Sequence, residues 1–383
     1  MMRGGRVTDH DAIQSLGRPI GSTRVRIDGI DGRSVGEAAR MRFGYWTPTY
    51  GGWLRNVADE ETPATFEHIA RIARAAEDGG FDVTLVPELN LNDIKGHAGP
   101  ALDAWAIATA TGAVTSRLEI MAALRPSYHS VALAAKQAAT IQEIAQGRFT
   151  LNVVSAWWAE EARQYGIPFA DHDDRYALTT EYVDVLRGLW SETPFSHEGR
   201  HFSLEGTHLE PKPSTQPLIY AGGESEAGRA AIAGFADAYV THGGTVEELS
   251  AKIADMRARR ERAGKPAFRH FGMAAFAIVR DTEEEAQAEL ARITDVRSGA
   301  AYESYQDFVT KSQLDVEISL REYSVSNRGL RPELIGTPQQ VADRIRRFQD
   351  VGVDTLLLQF SPALDELERF AEQVIPLVND ARG

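Results

Sequence analysis

Few residues in this chain pair a chemically capable side chain with a place where a strand ought to end. Asn152 lies inside GRFTLNVVSAWW (residues 147–158), an otherwise apolar run of strand formers in which a buried amide must find partners. Ser155 follows where that strand should stop. A second stretch, PLIYAGGESEAG (residues 217–228), reads as strand, glycine turn and helix start. The backbone N–H groups and the helix dipole at such a turn favour an anion, a phosphate above all. Gly222 and Gly223 allow close approach, and Ser225 can both cap the helix and donate. Glu224 and Glu226 oppose a phosphate unless their carboxylates point away, and an ordinary strand–turn–helix connection has the same pattern. The cations near expected strand ends are Arg125 (LRPSYHS) and His242 (YVTHGG). Arg328 and Arg331 (SNRGLRPELIG) lie in an aperiodic segment, while Glu88 and Asp93 (PELNLNDIKG) are loop carboxylates with no partner visible in the sequence. HExxH, GxSxG, Walker and GxGxxG patterns are absent, so the common hydrolase and nucleotide-binding readings lack support.

Alternating strand-like and helix-like segments must position these groups. Strands are expected at 41–46, 81–87, 118–124, 149–154, 218–221, 238–241, 271–279 and 355–360. Helices are expected at 63–80, 102–115, 130–145, 173–190, 225–235, 246–263, 282–294, 338–351 and 364–378. Strands returned by helices run parallel, and eight of them over about 340 residues match a (β/α)8 TIM barrel in the α/β class. A doubly wound open sheet is the alternative. Two insertions are expected. FSHEGRHFSL (residues 195–204) reads as a hairpin after the fourth helix, with Gly199 at its turn. Residues 296–335, after strand seven and its helix, lack sustained periodicity and read as a lid over the top of the barrel.

Composition narrows the partners. The 383 residues are 43% hydrophobic and 25% charged, enough for a sizeable core. A net charge of −14 argues against nucleic acid or an anionic membrane surface as the main partner. The absence of cysteine removes disulfides, a thiolate nucleophile and zinc–sulfur sites, and no metal constellation is expected. No apolar run approaches the length of a membrane span. Residues 1–40 are polar and Gly/Arg-rich without an apolar signal core, so they are expected to be an arm outside a single domain spanning 41–383, in a cytoplasmic protein.

NVVSAWW, HDDRY (residues 172–176), the AGGES turn, FAIVRDTEEEA (276–286) and LIGTPQQVADRI (334–345) together resemble the bacterial-luciferase-like flavin monooxygenases, nearest the branch that acts on dimethyl sulfone and alkanesulfonates. The resemblance covers about residues 41–378. It implies a TIM barrel binding reduced FMN that a separate NAD(P)H-dependent reductase supplies, with O2 as co-substrate and a homo-oligomer, dimer or tetramer. The flavin ring is then expected against Ala123 and Asn152 with Ser155 nearby, and the ribityl phosphate at Tyr176 and the turn formed by Gly222, Gly223, Glu224 and Ser225. Trp46, Tyr50, Glu88 and Phe360, with Trp53, are expected to face the substrate, and Asn152, His242 and Arg328 to carry the chemistry. A lid fits this chemistry, because closure keeps water from reactive oxygen species.

Departures from the family pattern bear on the substrate. Alkanesulfonate enzymes carry an Arg and a His on strand seven where this chain has Ala274 and Phe276. Their strand-eight tyrosine and first-strand histidine are replaced by Ser361 and Tyr50, while the lid arginine is matched by Arg328. The expected reaction is oxygenation of a small sulfone or alkanesulfonate, releasing sulfinate or sulfite. A non-sulfur substrate such as a heterocycle, a deazaflavin-dependent dehydrogenase and a non-catalytic flavin binder are the alternatives.

Overall fold

In a computed structural model of the chain, the described residues are 40–155, 158–169, 172–295, 319, 322, 324–325 and 329–379. The N-terminal arm, residues 296–318 of the expected lid, and Arg328 lie outside them.

Eight parallel strands close into a barrel. They are β1 (Arg42–Trp46), β2 (Val83–Val86), β3 (Glu119–Leu124), β4 (Phe149–Val153), β7 (Ile219–Ala221), β8 (Ala238–Thr241), β9 (Phe271–Phe276) and β12 (Thr355–Gln359). Each connection returns through a helix: α1 (Phe66–Asp78), α2 (Ala104–Val114), α3 (Val131–Ile144), α5 (His172–Ser191), α6 (Glu226–Phe235) and α7 (Val246–Arg262). The outer ring is completed by α9 (Pro338–Asp350), α10 (Ala363–Gln373) and α11 (Ile375–Asn379). The expected TIM barrel is the observed fold. Helix starts follow local chemistry. Thr65 caps α1 by accepting from His68 N at 3.3 Å, and Thr245, Thr282 and Thr337 each form a reciprocal capping box with the residue three on.

Both faces of the barrel strands are buried, so the register decides which residues face inward. Gly44 pairs with Val83 and Leu357, Trp46 with Leu85, Ala123 with Asn152, Asn152 with Tyr220, and Phe276 with Gln359. Val83, Leu85, Met121, Tyr220, Ala238, Val240 and Leu357 fill the interior as one buried cluster, while Phe43, Tyr45, Leu356, Leu358 and Phe360 join the layer between barrel and helices. Gly44 leaves room at a tight point, since a Cβ there would lie 2.6 Å from Val83 Cγ1 and 2.8 Å from Leu357 Cδ2.

The insertions differ in detail from the sequence reading. The hairpin forms as β5 (Phe195–Glu198) and β6 (Ser203–Thr207), with Gly199 N donating to Phe202 O at 2.9 Å across the turn. A short extra helix, α4 (Ala159–Gln164), precedes α5. Strand seven divides into β9 and β10 (Ile278–Val279), and β10 pairs in parallel with β11 (Ile335–Gly336). The helix expected to return strand seven, α8 (Glu283–Ile293), instead belongs to the insertion. Its Ala286, Leu290 and Ile293 pack with Tyr50, Trp53 and Phe276 beyond the strand ends, and α9 makes the return crossover. An amphipathic helix declares that it has a buried face, not what that face covers.

Gly44→Val is expected to overpack the barrel interior and lower stability by about 1–3 kcal/mol. A urea unfolding midpoint equal to that of the parent would contradict the interior packing described here.

Candidate active site

The inward side chains at the C-terminal strand ends form a small, nearly uncharged ring. Trp46 comes from β1, Ala123 from β3, Asn152 from β4, Ala274 and Phe276 from β9, and Gln359 from β12. Asn152 is only 7% exposed, and its Oδ1 has no hydrogen-bond partner among the described residues. Trp46 Nε1 is likewise buried and unpartnered among them. Each such group costs about 1–3 kcal/mol when left unsatisfied, so two at one mouth mark a place built for something that bonds to them. Above the ring, Trp53 stacks edge-on against both Trp46 (6.0 Å) and Tyr50 (6.1 Å), and Leu330 and Val325 close the apolar cluster. Burial pushes the Tyr50 phenol well above its ordinary pKa, so it stays protonated.

The glycine turn lies between β7 and α6. Ser225 is the N-cap of α6, its Oγ accepting from Gly228 N at 3.1 Å and donating to Tyr176 Oη at 3.3 Å. Tyr176 comes from α5, which Ser155 ties to the end of β4 through Thr179 Oγ1 at 3.1 Å. The turn is tight: a Cβ on Gly222 would lie 2.9 Å from Val240 O, on Gly223 2.9 Å from Ile232 Cδ1, and on Gly228 2.7 Å from Tyr176 Oη. Both acidic residues point away. Glu224 Oε1 accepts from Lys252 Nζ at 2.8 Å and from Thr241 Oγ1 at 3.1 Å. Glu226 is 73% exposed, and hydrogen bonds from Arg259 and Arg229 hold its pKa down at about 2. The objection to an anion at this turn is therefore removed by geometry.

Arg125, Glu88, Asp93 and Arg331, expected near the site, are each held by an opposite charge. Arg125, 2% exposed, pairs through Nη1 and Nη2 with Glu161 of α4 and through Nε with Glu88 Oε2 at 3.2 Å. Glu88 also accepts from Arg125 N at 2.9 Å and bonds His129 Nε2, and Tyr128 Oη donates to Glu161 at 3.2 Å. Burial works against the Arg125 charge, but Glu161 and Glu88 outweigh it and its pKa is raised. Glu88 is thus not the partnerless loop carboxylate the sequence suggested, and neither is Asp93, which holds Arg55 Nη2 at 2.6 Å. Arg331 is bonded to Glu322. His242 follows β8, half-buried, before the glycines that lead into α7.

Phe360 requires correction. It packs among Phe81 (6.2 Å) and Phe370 (5.5 Å) on the outer side of the barrel, so strand alternation gives the inward position to Gln359 instead. The run TLLLQF hid this, because a strand buried on both faces shows no apolar alternation. Glu161 and Lys252 were also missed; each sits in a charged helix sequence that reads as solvated. Glu60 was missed too. Its buried carboxylate accepts from Trp53 N (3.0 Å), Leu54 N (2.7 Å), Lys95 Nζ (2.6 Å) and Ser361 Oγ (2.6 Å), fixing the loop that carries the aromatic roof.

A family model described as luciferase-like monooxygenase matches residues 41–355 of this chain. The chain belongs to that family. An FMNH(2)-dependent dimethylsulfone monooxygenase of Pseudomonas fluorescens (strain Pf0-1) is 34% identical over 357 residues, covering 89% of this chain and 95% of that protein. Its counterpart from Pseudomonas putida is 35% identical over 361 residues, covering 89% and 96%. The structure of DmoA from Hyphomicrobium sulfonivorans superposes with a TM-score of 0.77 at 22% identity, over 89% of this chain and 88% of that one. The luciferase-like barrel thus provides the frame in which the neutral ring and the glycine turn sit.

Removing the cation of the Arg125 cluster should leave the buried carboxylates of Glu161 and Glu88 uncompensated. Arg125→Met is expected to lower stability by about 3–5 kcal/mol, and Glu161→Gln, which leaves Arg125 paired with Glu88, by much less, when both are measured by urea unfolding. Equal losses would mean that the cluster's charges do not depend on one another.

Proposed function

We propose that this chain is the oxygenase component of a two-component system that uses reduced FMN and O2 to oxygenate a small, uncharged sulfone. The observation that carries the substrate class is the inner ring: among the described residues, Trp46, Ala123, Asn152, Ala274, Phe276 and Gln359 are neutral and Arg125 is already held by two carboxylates. An anionic sulfonate would call for a free cation at the ring, whereas a sulfone needs hydrogen-bond donors and apolar walls. The two relatives named for dimethylsulfone support the same choice.

The residues present fit reduced FMN. Asn152 Oδ1 is an orphaned buried acceptor beside Ala123, suited to a ring N–H, and the turn of Gly222, Gly223 and Ser225 is packed too tightly against Val240 and Ile232 for a Cβ on either glycine, with the Tyr176 hydroxyl and the α6 N-terminus beside it. When bound, reduced FMN supplies the two electrons that let one atom of O2 enter the substrate and the other leave as water. For dimethyl sulfone the balanced outcome is methanesulfinate, formaldehyde, FMN and water, with cleavage of one carbon–sulfur bond. Asn152 orients the ring, Ser225 and Tyr176 hold the phosphate end, and Trp46, Trp53 and Tyr50 exclude water from the mouth. His242 and Arg328, the latter outside the described residues, remain the groups proposed to act on substrate. A separate NAD(P)H-dependent reductase supplies the reduced flavin, consistent with a cytoplasmic enzyme. Among the described residues no helix is long and apolar enough to cross a membrane. A homo-oligomer, dimer or tetramer, is part of this reading, supported by α2, an outer helix without a single charged residue (AWAIATATGAV).

With FMN, NADH and a generic flavin reductase, dimethyl sulfone is expected to give oxygen-dependent methanesulfinate and formaldehyde, and methanesulfonate little or no sulfite. Faster turnover of the sulfonate would overturn the neutral-substrate reading. Asn152→Leu should leave the apoprotein as stable as the parent or more so, since it removes an unsatisfied amide oxygen, while lowering coupled turnover at least tenfold. Parental turnover in that variant would remove Asn152 from the site.

A further inference from the structure

The glycine turn contains a carboxylate in a place where a carboxylate should be harmful. Glu224 lies between Gly223 and the N-cap Ser225, so its side chain starts beside the backbone groups that would meet a phosphate dianion. Turned inward, it would repel that dianion; turned outward and left unpaired, it would still act through a partly buried, weakly screened path. The structure shows a device that avoids both. Lys252, in the second turn of α7, reaches back to the end of β8, its Nζ donating to Glu224 Oε1 at 2.8 Å and to Thr241 Oγ1 at 3.0 Å. Thr241 donates in turn to the same carboxylate oxygen at 3.1 Å. Lys252 and Glu224 are each only 17% exposed at the side chain. On the same strand, Tyr239 Oη donates to Gly223 O at 2.8 Å and pins the turn's backbone from the same side. Burial raises the Tyr239 pKa, keeping that donor protonated. Arg331 also feels the Glu224 charge, but its guanidinium is bonded to Glu322.

We propose that Lys252 is a positioning residue that makes the turn selective for a phosphorylated flavin, by neutralising Glu224 and holding its carboxylate away from the phosphate. This rests on the reading that the flavin phosphate sits at residues 222–225. Lys252 acts through Glu224 and Thr241, its two hydrogen-bond acceptors. Its effect is therefore expected on the affinity for the phosphate and not on the ring, a distinction that a merely structural ion pair would not produce.

The test is an anaerobic titration of the full-length protein with reduced FMN and, separately, reduced riboflavin, which lacks the phosphate. Wild type should prefer FMN. Lys252→Met is expected to weaken reduced FMN at least tenfold while changing reduced riboflavin less than twofold, and Lys252→Arg to keep the wild-type preference. Glu224→Gln combined with Lys252→Met should restore FMN binding to within threefold of wild type, because the negative charge that Lys252 offset is gone. Glu224→Gln alone, which leaves the ammonium uncompensated, should bind reduced FMN at least as tightly as wild type. Should Lys252→Met fail to fold, Lys252→Gln, which keeps a hydrogen-bond donor but not the charge, takes its place in the same comparison, with the same loss of FMN preference expected. Equal weakening of both flavins, an unchanged FMN preference, or no rescue in the double variant would overturn the role of Lys252 while leaving the cradle in place. A wild-type protein that binds the two flavins alike would overturn the cradle, and the role of Lys252 with it.

Discussion

A closed parallel barrel allows each strand only every second residue on its inner face, and this alternation governs the rest of the molecule. Near the C-terminal rim a strand can offer one or two inward side chains, so eight strands provide a ring of few positions. In this chain the ring is spent almost wholly on neutral groups: indole, amides, small side chains and a phenylalanine. Charge is kept one layer further out. Arg125, Glu88 and Glu161 satisfy one another behind β3, and Lys252 and Glu224 do so behind β8. The result is a low-polarity mouth with a few orphaned hydrogen-bonding atoms, surrounded by hydrogen-bonded charges that brace the loops.

The same economy explains the loops. Glu60 is a buried carboxylate with no role expected from the sequence, yet it accepts four hydrogen bonds and joins three separate connections: the loop after β1, the loop after β2 through Lys95, and the end of β12 through Ser361. Gly52, at a φ of +108°, leaves the space in which that carboxylate sits, since a Cβ there would lie 2.2 Å from Glu60 Oε1. Trp53 and Leu54 are held in place by their backbone N–H groups, not by apolar contact alone. The aromatic roof over the mouth is thus rigid for a polar reason.

Much of this was legible in the sequence, for identifiable reasons. The alternation of amphipathic helices with short apolar strands specifies the barrel, and Asn152 and the AGGES turn stand out because each breaks a local rule at a strand end. What could not be read depends on parity and on distance. Phe360 and Gln359 exchange roles because TLLLQF is apolar on both faces, so nothing local says which residue points inward. The α8 helix was assigned to the outer ring because an amphipathic pattern does not name the surface it covers. The partners of Glu88 lie 37 and 41 residues away, and Ser361 lies 301 residues from Glu60; no spacing rule reaches that far.

The short pairing of β10 with β11 has a consequence for how such proteins diversify. Val279 and Gly336 are register partners on a two-stranded stitch in which Arg280 N donates to Gly336 O at 3.1 Å, so the chain leaves and returns at one point beside the barrel. The stitch already holds the two ends together, so lengthening the segment beyond α8 adds only a slowly growing loop-closure entropy and leaves the barrel's register untouched. The segment behaves as an exchangeable cassette. A barrel of this design can acquire a new cover, and with it a new range of substrates, by cassette replacement without being re-engineered around its cofactor.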